Sequence, residues 1–326
     1  MHAMAVVFED RLDVRFRSVQ VPDPTDRDVV IDVAHSWISI GTELSYLRGD
    51  RLSGEEPRRA GDAWPFPQVA GYQKVGVVRH VGSAVQDLQP GDCVFASVSR
   101  VSNLFSDYAG HINPAVTDRD EVWKLPNDTM VKYSGSVLTQ VGFNCGMRPP
   151  IEPGDVAVVI GDGLVGQWTA QTLLRRGAIV TVLGRHTSRL LLCPSGVETH
   201  QITMDDLDEI AASLPYLSVV VDTVGDLVTV QRIQPRLKHD GHIVSAGFLG
   251  DQGALDIQRL REQEITVHAP SGWTRPRVSQ TLAAIEEGWL ATERLITQRF
   301  PAYMARDAWR EIQENREGTM GVVLDW

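Results

Sequence analysis

Residues 155–177 read DVAVVIGDGLVGQWTAQTLLRRG: an apolar run, then GDGLVG, then a helical pattern. In that order each glycine has a task. Gly161 permits a tight turn, Gly163 lets the backbone approach a pyrophosphate, and Gly166 lets helix and strand pack closely. Leu164 and Val165 open the helix, whose N-terminal N–H groups and positive dipole end would face the phosphates. A glycine turn alone is weak evidence, but the runs AIVTVLG, YLSVVVDTVG, GHIVSAGF and EITVHAP follow it. Their continuous β-branched character predicts strands covered on both faces. The expected fold class is therefore an α/β Rossmann domain with a doubly wound parallel sheet that binds a dinucleotide.

The end of the second strand bears on which dinucleotide. An NAD-binding unit carries Asp or Glu there, accepting from the ribose 2'-hydroxyl. AIVTVLGRHTSRL instead has Gly184, followed by Arg185, His186, Ser188 and Arg189. A glycine leaves room for a 2'-phosphate, and arginines make charge-assisted bonds to its oxygens. The expected cofactor is NADP(H), against the plainer reading of a solvated basic loop. Two further loops fall at carboxyl strand ends, where open α/β sheets bind ligands. DTVG supplies Thr223 and Val224, and SAGF supplies Ala246, Gly247 and Phe248, unless both are ordinary tight turns.

Upstream the grammar differs. The first 125 residues hold short valine-rich runs, AVVF, DVVIDVAHSWI, YQKVGVVRHVG and DCVFASV, separated by turn signals. They predict a compact β domain, interrupted at residues 49–67 by a loop without periodicity. After residue 295, ITQRFPA and MGVVLDW return to short strands, so the expected division is 1–134 completed by 296–326, with 135–295 as the Rossmann domain.

The 326 residues are 43% hydrophobic, enough for two cores. A net charge of -11 argues against nucleic acid or an anionic membrane surface as partner and leaves small-molecule chemistry. Three distant cysteines, Cys93, Cys145 and Cys193, form neither a disulfide framework nor a zinc knuckle, which fits a reduced, cytoplasmic setting. No apolar run approaches the length of about 18 residues that a membrane span needs. Asn127-Asp-Thr129 matches a glycosylation sequon, but nothing at the start resembles a secretion signal.

Residues 38–50, ISIGTELSYLRGD, gather a hydroxyl, a carboxylate, a phenol and a guanidinium within a few positions. They fit a pocket wall that handles protons. They fit equally a helix start, with Thr42 and Glu43 as its N-terminal signal.

Taken in order, GTE, VAGYQKVGVVRHVGSAVQDLQPGDCVF, GDGLVG, DTVG, SAGF and MGVVLDW resemble the medium-chain dehydrogenase/reductase superfamily over essentially the whole chain. GTELSYLRGD, the spacing to GYQ, VDTVGD, LITQRFPA and VVLDW are similar to its bacteriochlorophyllide dehydrogenase-like branch, and such branches also serve secondary metabolism. The resemblance implies an N-terminal GroES-like barrel, a cleft shared with the Rossmann domain, and a homodimer. It also exposes departures. Zinc-dependent members place Cys before the Gly-Thr-Asp, His after the Gly of Gly-His-Glu, and a third ligand ahead of the Rossmann domain. This chain has Ile40, Tyr72 and the neighbourhood of Val137 at those places, and it lacks the four-cysteine lobe. Ile and Val cannot donate to zinc, so the expectation is a zinc-independent member with no metal.

Without a Lewis acid, protein hydroxyls must manage charge on the substrate oxygen. By position Thr42 matches the family's relay hydroxyl, Tyr46 resembles the tyrosine beside the nicotinamide in zinc-free reductases, and Tyr72 stands where the zinc-bound His would be. The catalytic candidates are thus Thr42, Tyr46 and Tyr72, although either tyrosine could simply fill space. Glu43 reads as a structural acid paired with Arg48 or a backbone donor, and Cys145 as a core thiol. His111, His239 and His242 have no ligand spacing. Glu55 and Glu56 read as a solvated face, and Trp64, Trp273 and Trp289 as apolar contacts or pocket wall. The expected activity is NADP(H)-dependent reduction of a ketone or conjugated enone. The reverse oxidation of a secondary alcohol is the alternative, and a non-catalytic NADP(H)-binding sensor or scaffold is the alternative of another class.

Overall fold

A computed structural model describes residues 1–126, 130–250 and 253–326, so the sequon Asn127-Asp-Thr129 lies outside the described residues. Among the described residues the chain runs β1 (His2–Asp10), β2 (Asp13–Gln20), β3 (Asp28–Ile38), α1 (Ile40–Arg48), β4 (Arg51–Ser53), β5 (Glu56–Pro57), β6 (Gln68–Val69), β7 (Lys74–Val81), β8 (Cys93–Ala96), β9 (Ser99–Arg100), β10 (Tyr108–Ala109), β11 (Ile112–Asn113), β12 (Ala115–Asp118) and β13 (Val122–Lys124). It continues through α2 (Ser136–Met147), β14 (Val156–Ile160), α3 (Leu164–Arg175), β15 (Ile179–Gly184), α4 (Thr187–Leu190), β16 (Val197–Gln201), α5 (Leu207–Ser213), β17 (Leu217–Asp222), α6 (Leu227–Ile233), β18 (Leu237–Ser245), α7 (Ile257–Glu262) and β19 (Thr266–His268). Last come α8 (Arg275–Glu286), β20 (Ile296–Pro301), α9 (Ala305–Glu314) and β21 (Gly321–Asp325). No helix among the described residues is long and apolar enough to cross a membrane.

Two compact units result. Unit 1 comprises Met1–Val137, Thr274–Ile285 and Thr292–Trp326, and unit 2 comprises Leu138–Trp273 and Glu286–Ala291. This division differs from the expected 1–134 plus 296–326 by giving most of α8 to unit 1. The reason is a polar anchor that helical periodicity cannot reveal. Arg275, at the start of α8, donates to the carbonyls of Asp120 and Val122 and lies 4.9 Å from the Trp123 ring centre.

In unit 1 the larger sheet has the order β13-β8-β7-β3-β21-β20, with β12 also on β3, and a smaller one has β11-β1-β2 with β6 on β1. β3 is long because it is shared: it pairs antiparallel with β7 and, through its last residues, with β21. Val30, Ile31, Val94, Val116 and Val122 fill the core between the strands, while Phe8, Leu44, Leu47, Trp309 and Ile312 pack α1 and α9 against them. Residues 49–67 contain the β4–β5 hairpin rather than an unstructured loop. Arg51 organises it by donating to the Gly54 carbonyl at 2.9 Å and pairing with Glu55 at 3.0 Å, so Glu55 is not simply part of a solvated face.

Unit 2 has the parallel order β16-β15-β14-β17-β18-β19, a doubly wound Rossmann sheet. Residues alternate across it. Val158, Ile160, Val220 and Ile243 meet Leu207, Ile233 and Leu260 on one face, whereas Ala157, Val159, Val219 and Val221 meet Cys145, Ala170 and Leu173 on the other. The expected runs become β14, β15, β17, β18 and β19. β16 has the sequence VETHQ, and it was missed because an edge strand with exposed side chains carries no apolar run.

Candidate functional site

In unit 2 the GDGLVG turn joins β14 to α3. A Cβ on Gly166 would stand 2.0 Å from the Gly161 carbonyl oxygen, so only glycine lets the helix approach the strand so closely. A Cβ on Gly163 would meet nothing within 4 Å, leaving an open approach at the N-cap of α3, which no side chain caps. The two alanine variants should separate accordingly. Gly166→Ala overpacks the backbone, a penalty of about 1–3 kcal/mol, and should lower the thermal midpoint. Gly163→Ala should leave the midpoint unchanged yet weaken nicotinamide dinucleotide binding about tenfold, as read by fluorescence titration. Unchanged affinity would remove the pyrophosphate from Gly163.

The DTVG and SAGF loops lie against each other: a Cβ on Gly247 would be 1.8 Å from the Gly225 nitrogen. Thr223 donates to the Ile160 carbonyl at 2.8 Å beneath the turn, and Val224 is exposed. Ala246 N–H donates to the Asp222 carbonyl, and Phe248 is half-buried. The organiser of this region was not singled out in the sequence. Asp222 Oδ1 accepts from the N–H groups of Val224, Gly225 and Asp226, at 3.0, 2.9 and 3.2 Å. Burial pushes its carboxyl up, against those same bonds.

At the end of β15 the space beside Gly184 is filled, which corrects the premise that it stands open for a 2'-phosphate. A Cβ on Gly184 would lie 2.6 Å from Asp162 Cβ and 2.7 Å from Asp162 Oδ2. Asp162 Oδ2 accepts from the N–H groups of Arg185 at 2.7 Å and His186 at 2.8 Å, and Arg189 stands 3.6 Å from Oδ1. The side chains of Arg185 and Ser188 are exposed.

In unit 1 the stretch around GTE is helix α1, beginning after Ser39, so Thr42 lies within the helix rather than at its cap. Glu43 is buried and reaches back: Oε1 accepts from Ser39 N–H at 2.7 Å, and Oε2 lies 2.9 Å from His111 Nε2. Of the two expected partners the backbone donor is the one found; Arg48 instead bonds Asp50 at 3.0 Å. His111 Nδ1 lies 2.8 Å from Ser36 Oγ, to which Trp326 Nε1 donates at 2.8 Å, and its ring packs edge-on against Trp309. Gly71, at φ +80°, makes room for that ring, since a Cβ there would stand 2.7 Å from the imidazole.

The three catalytic candidates part company. Tyr72 hydrogen-bonds the side chains of Ser39 and Thr42, and burial pushes its phenol well above the ordinary value, with Glu43 adding to the rise and Arg51 opposing it. Tyr46 lies at the β4–β5 hairpin instead, its hydroxyl 3.4 Å from the Gly54 carbonyl, and burial raises it too. Both rings are therefore neutral hydrogen-bond donors at ordinary pH. At the places where the resemblance expects zinc ligands, Ile40 packs into the apolar cluster around α1, and Val137 is buried; neither side chain has a donor atom. Among the described residues, the group close enough to hold a metal is His239, Asp240 and Glu264, all exposed on unit 2.

Burial pushes the Cys145 thiol up to about 12, as befits a core thiol. Trp289 packs 6.2 Å from Phe143, and Trp64, 48% exposed, stacks on Phe66 beneath Arg58.

A GroES-like barrel unit joined to a Rossmann unit carrying a glycine-rich turn is the layout of medium-chain alcohol dehydrogenases. Sequence comparison points the same way. The chain is 24% identical, over its whole length and 99% of the relative, to 2-desacetyl-2-hydroxyethyl bacteriochlorophyllide A dehydrogenase of Cereibacter sphaeroides. Further relatives include a zinc-type alcohol dehydrogenase-like protein and sorbitol and butanediol dehydrogenases. Two solved structures share the fold across the whole chain at 18% identity. One is described as a zinc-binding dehydrogenase from Sinorhizobium meliloti 1021 bound to NADP, with a TM-score of 0.81, covering all of that chain. The other is an alcohol dehydrogenase from Escherichia coli CFT073 with NADH, with a TM-score of 0.82, covering 99% of that chain. No family model matches the chain.

Proposed function

We propose that this protein is an NADP(H)-dependent oxidoreductase that interconverts a ketone and the secondary alcohol of a small molecule, without zinc. The observation that carries the reading is the Tyr72–Thr42–Ser39 hydroxyl cluster at a place where zinc-dependent members hold a metal-binding histidine.

When bound, the nicotinamide accepts or supplies the hydride at the substrate carbon. The chain's own residues manage the oxygen. In the reductive direction Tyr72 donates a hydrogen bond to the carbonyl oxygen and, as charge develops there, its proton. Thr42, half-buried at the surface of α1, returns a proton to the phenol from water. A neutral, half-buried donor suits this role, because it stabilises developing negative charge without a charge of its own to neutralise. Ile40 and Val137 keep the metal position apolar, so the oxygen meets hydroxyls rather than a Lewis acid. NADP(H) is favoured by Arg185, Arg189 and the absence of an acid at residue 184. A conjugated enone is the second reading, since the same donor suits an enolate oxygen.

The test is the change in reduced-nicotinamide absorbance with a panel of ketones, enones and secondary alcohols, using protein prepared without added metal and assayed with and without chelator. Turnover indifferent to chelator, with no stoichiometric zinc by elemental analysis, is expected. One equivalent of zinc whose removal abolishes turnover would overturn metal independence. Tight dinucleotide binding with no turnover across the panel would favour the sensor or scaffold.

A further inference from the structure

The carboxylate of Asp162 occupies the end of β15 that the selection of a dinucleotide depends on. It is 5% exposed, and it comes from the variable position of the glycine turn rather than from the strand. Gly184 has no alternative: any side chain there would collide with Asp162 Cβ and Oδ2, so an acid cannot also stand at the strand end. Asp162 is fixed by four groups. Its Oδ2 accepts from Arg185 N–H and His186 N–H and lies 3.0 Å from His186 Nδ1, while Arg189 Nη1 is 3.6 Å from Oδ1. The loop carboxylate thus has the charge that an NAD-binding unit mounts on its second strand, and it partly neutralises an arginine that a 2'-phosphate would use.

We propose that Asp162 is the residue that sets cofactor choice, acting as a brake that holds the preference for NADP(H) over NAD(H) small. This rests on the reading of unit 2 as a nicotinamide-binding unit. Two effects act together. The carboxylate repels a dianionic 2'-phosphate, a repulsion strengthened in a partly buried site. It also ties up Arg189, leaving Arg185, whose side chain is exposed, as the chief positive charge for that phosphate. A ribose 2'-hydroxyl meets neither penalty, because it is neutral and can donate a hydrogen bond to a carboxylate.

The experiment measures dissociation constants for NADPH and NADH, by nicotinamide fluorescence, on the parent, Asp162→Asn and Asp162→Ser. Both variants remove the charge and keep an acceptor for the two N–H groups, and their thermal midpoints establish that they fold. In either variant the ratio of NADH to NADPH dissociation constants should rise tenfold or more, mainly through tighter NADPH. Binding of 2'-AMP should strengthen in parallel while that of 5'-AMP holds. Arg189→Ala should cost NADPH affinity in both backgrounds, but several-fold more in Asp162→Asn, where it removes the gain, than in the parent. An unchanged ratio, including equal weakening of both cofactors, would make Asp162 a mere clamp of the loop and overturn the proposal. A folded parent that binds neither cofactor would instead overturn the nicotinamide reading on which it rests.

Discussion

Tyr72→Phe should lower turnover about a hundredfold or more while leaving nicotinamide affinity unchanged, because it removes one donor to the oxygen on which negative charge develops. The ring and its packing stay. The control is Tyr46→Phe: that hydroxyl points to the Gly54 carbonyl, and its loss should change turnover less than about threefold. Thr42→Val should fall between the two, since water can replace a relay hydroxyl more readily than a positioned donor. The phenol of Tyr72 is pushed up by burial, so turnover should also show no alkaline loss from this group below its ordinary value of about 10. Steady-state kinetics across pH read all of these outcomes. If Tyr72→Phe keeps turnover within about threefold of the parent, the proton comes from Thr42 or from water, and the cluster is a packing feature.

The second large effect concerns stability. Glu43→Ala leaves His111 buried without its carboxylate and strips the acceptor from Ser39 N–H, and removing one partner of a buried pair of this kind costs about 3–5 kcal/mol. Glu43→Gln keeps an oxygen for Ser39 and should lose less. Urea unfolding followed by tryptophan emission should place the order as parent, Gln, Ala. An alanine variant within about 1 kcal/mol of the parent would mean that His111 finds another partner. Because Ser39 also holds Tyr72, the alanine variant should lose turnover before it loses its fold.

How far the sequence reached follows from what each feature depends on. The Rossmann sheet was legible because the GDGLVG turn sits between a buried strand and a helix, and because β14, β15, β17 and β18 are covered on both faces. VETHQ was not legible, since an exposed edge strand has no apolar signature. Glu43 illustrates a different limit: the sequence offered Arg48 or a backbone donor, and the backbone donor is Ser39, but the second partner is His111, and a bond across 68 residues depends on how Gly71 and Gly110 bring two loops together. Asp162 was in plain view within a glycine motif but was not singled out. The signal that could have found it is the pairing of an acid inside the turn with a glycine at the next strand's end. Among the tyrosines, sequence position alone ranked Tyr46 with Tyr72, and only the β4–β5 hairpin separates them.

The path of β3 has a consequence for how the molecule is made. Its last residues pair with β21, some 290 positions later: His35 with Asp325 and Ile38 with Val322. A ribosome releases the segment that holds β3 long before β21, yet that segment cannot close its sheet until β21 emerges. Unit 2, drawn almost wholly from one continuous stretch, can fold in the interval. The usual order of domain maturation is thereby reversed, with the hydroxyl-bearing unit completed last. Until then the margin of β3 that β21 covers, with Trp37 and Ile38, is an open strand edge of the kind that invites pairing with a neighbouring chain. Nascent copies are therefore most vulnerable to aggregation just before β21 is made.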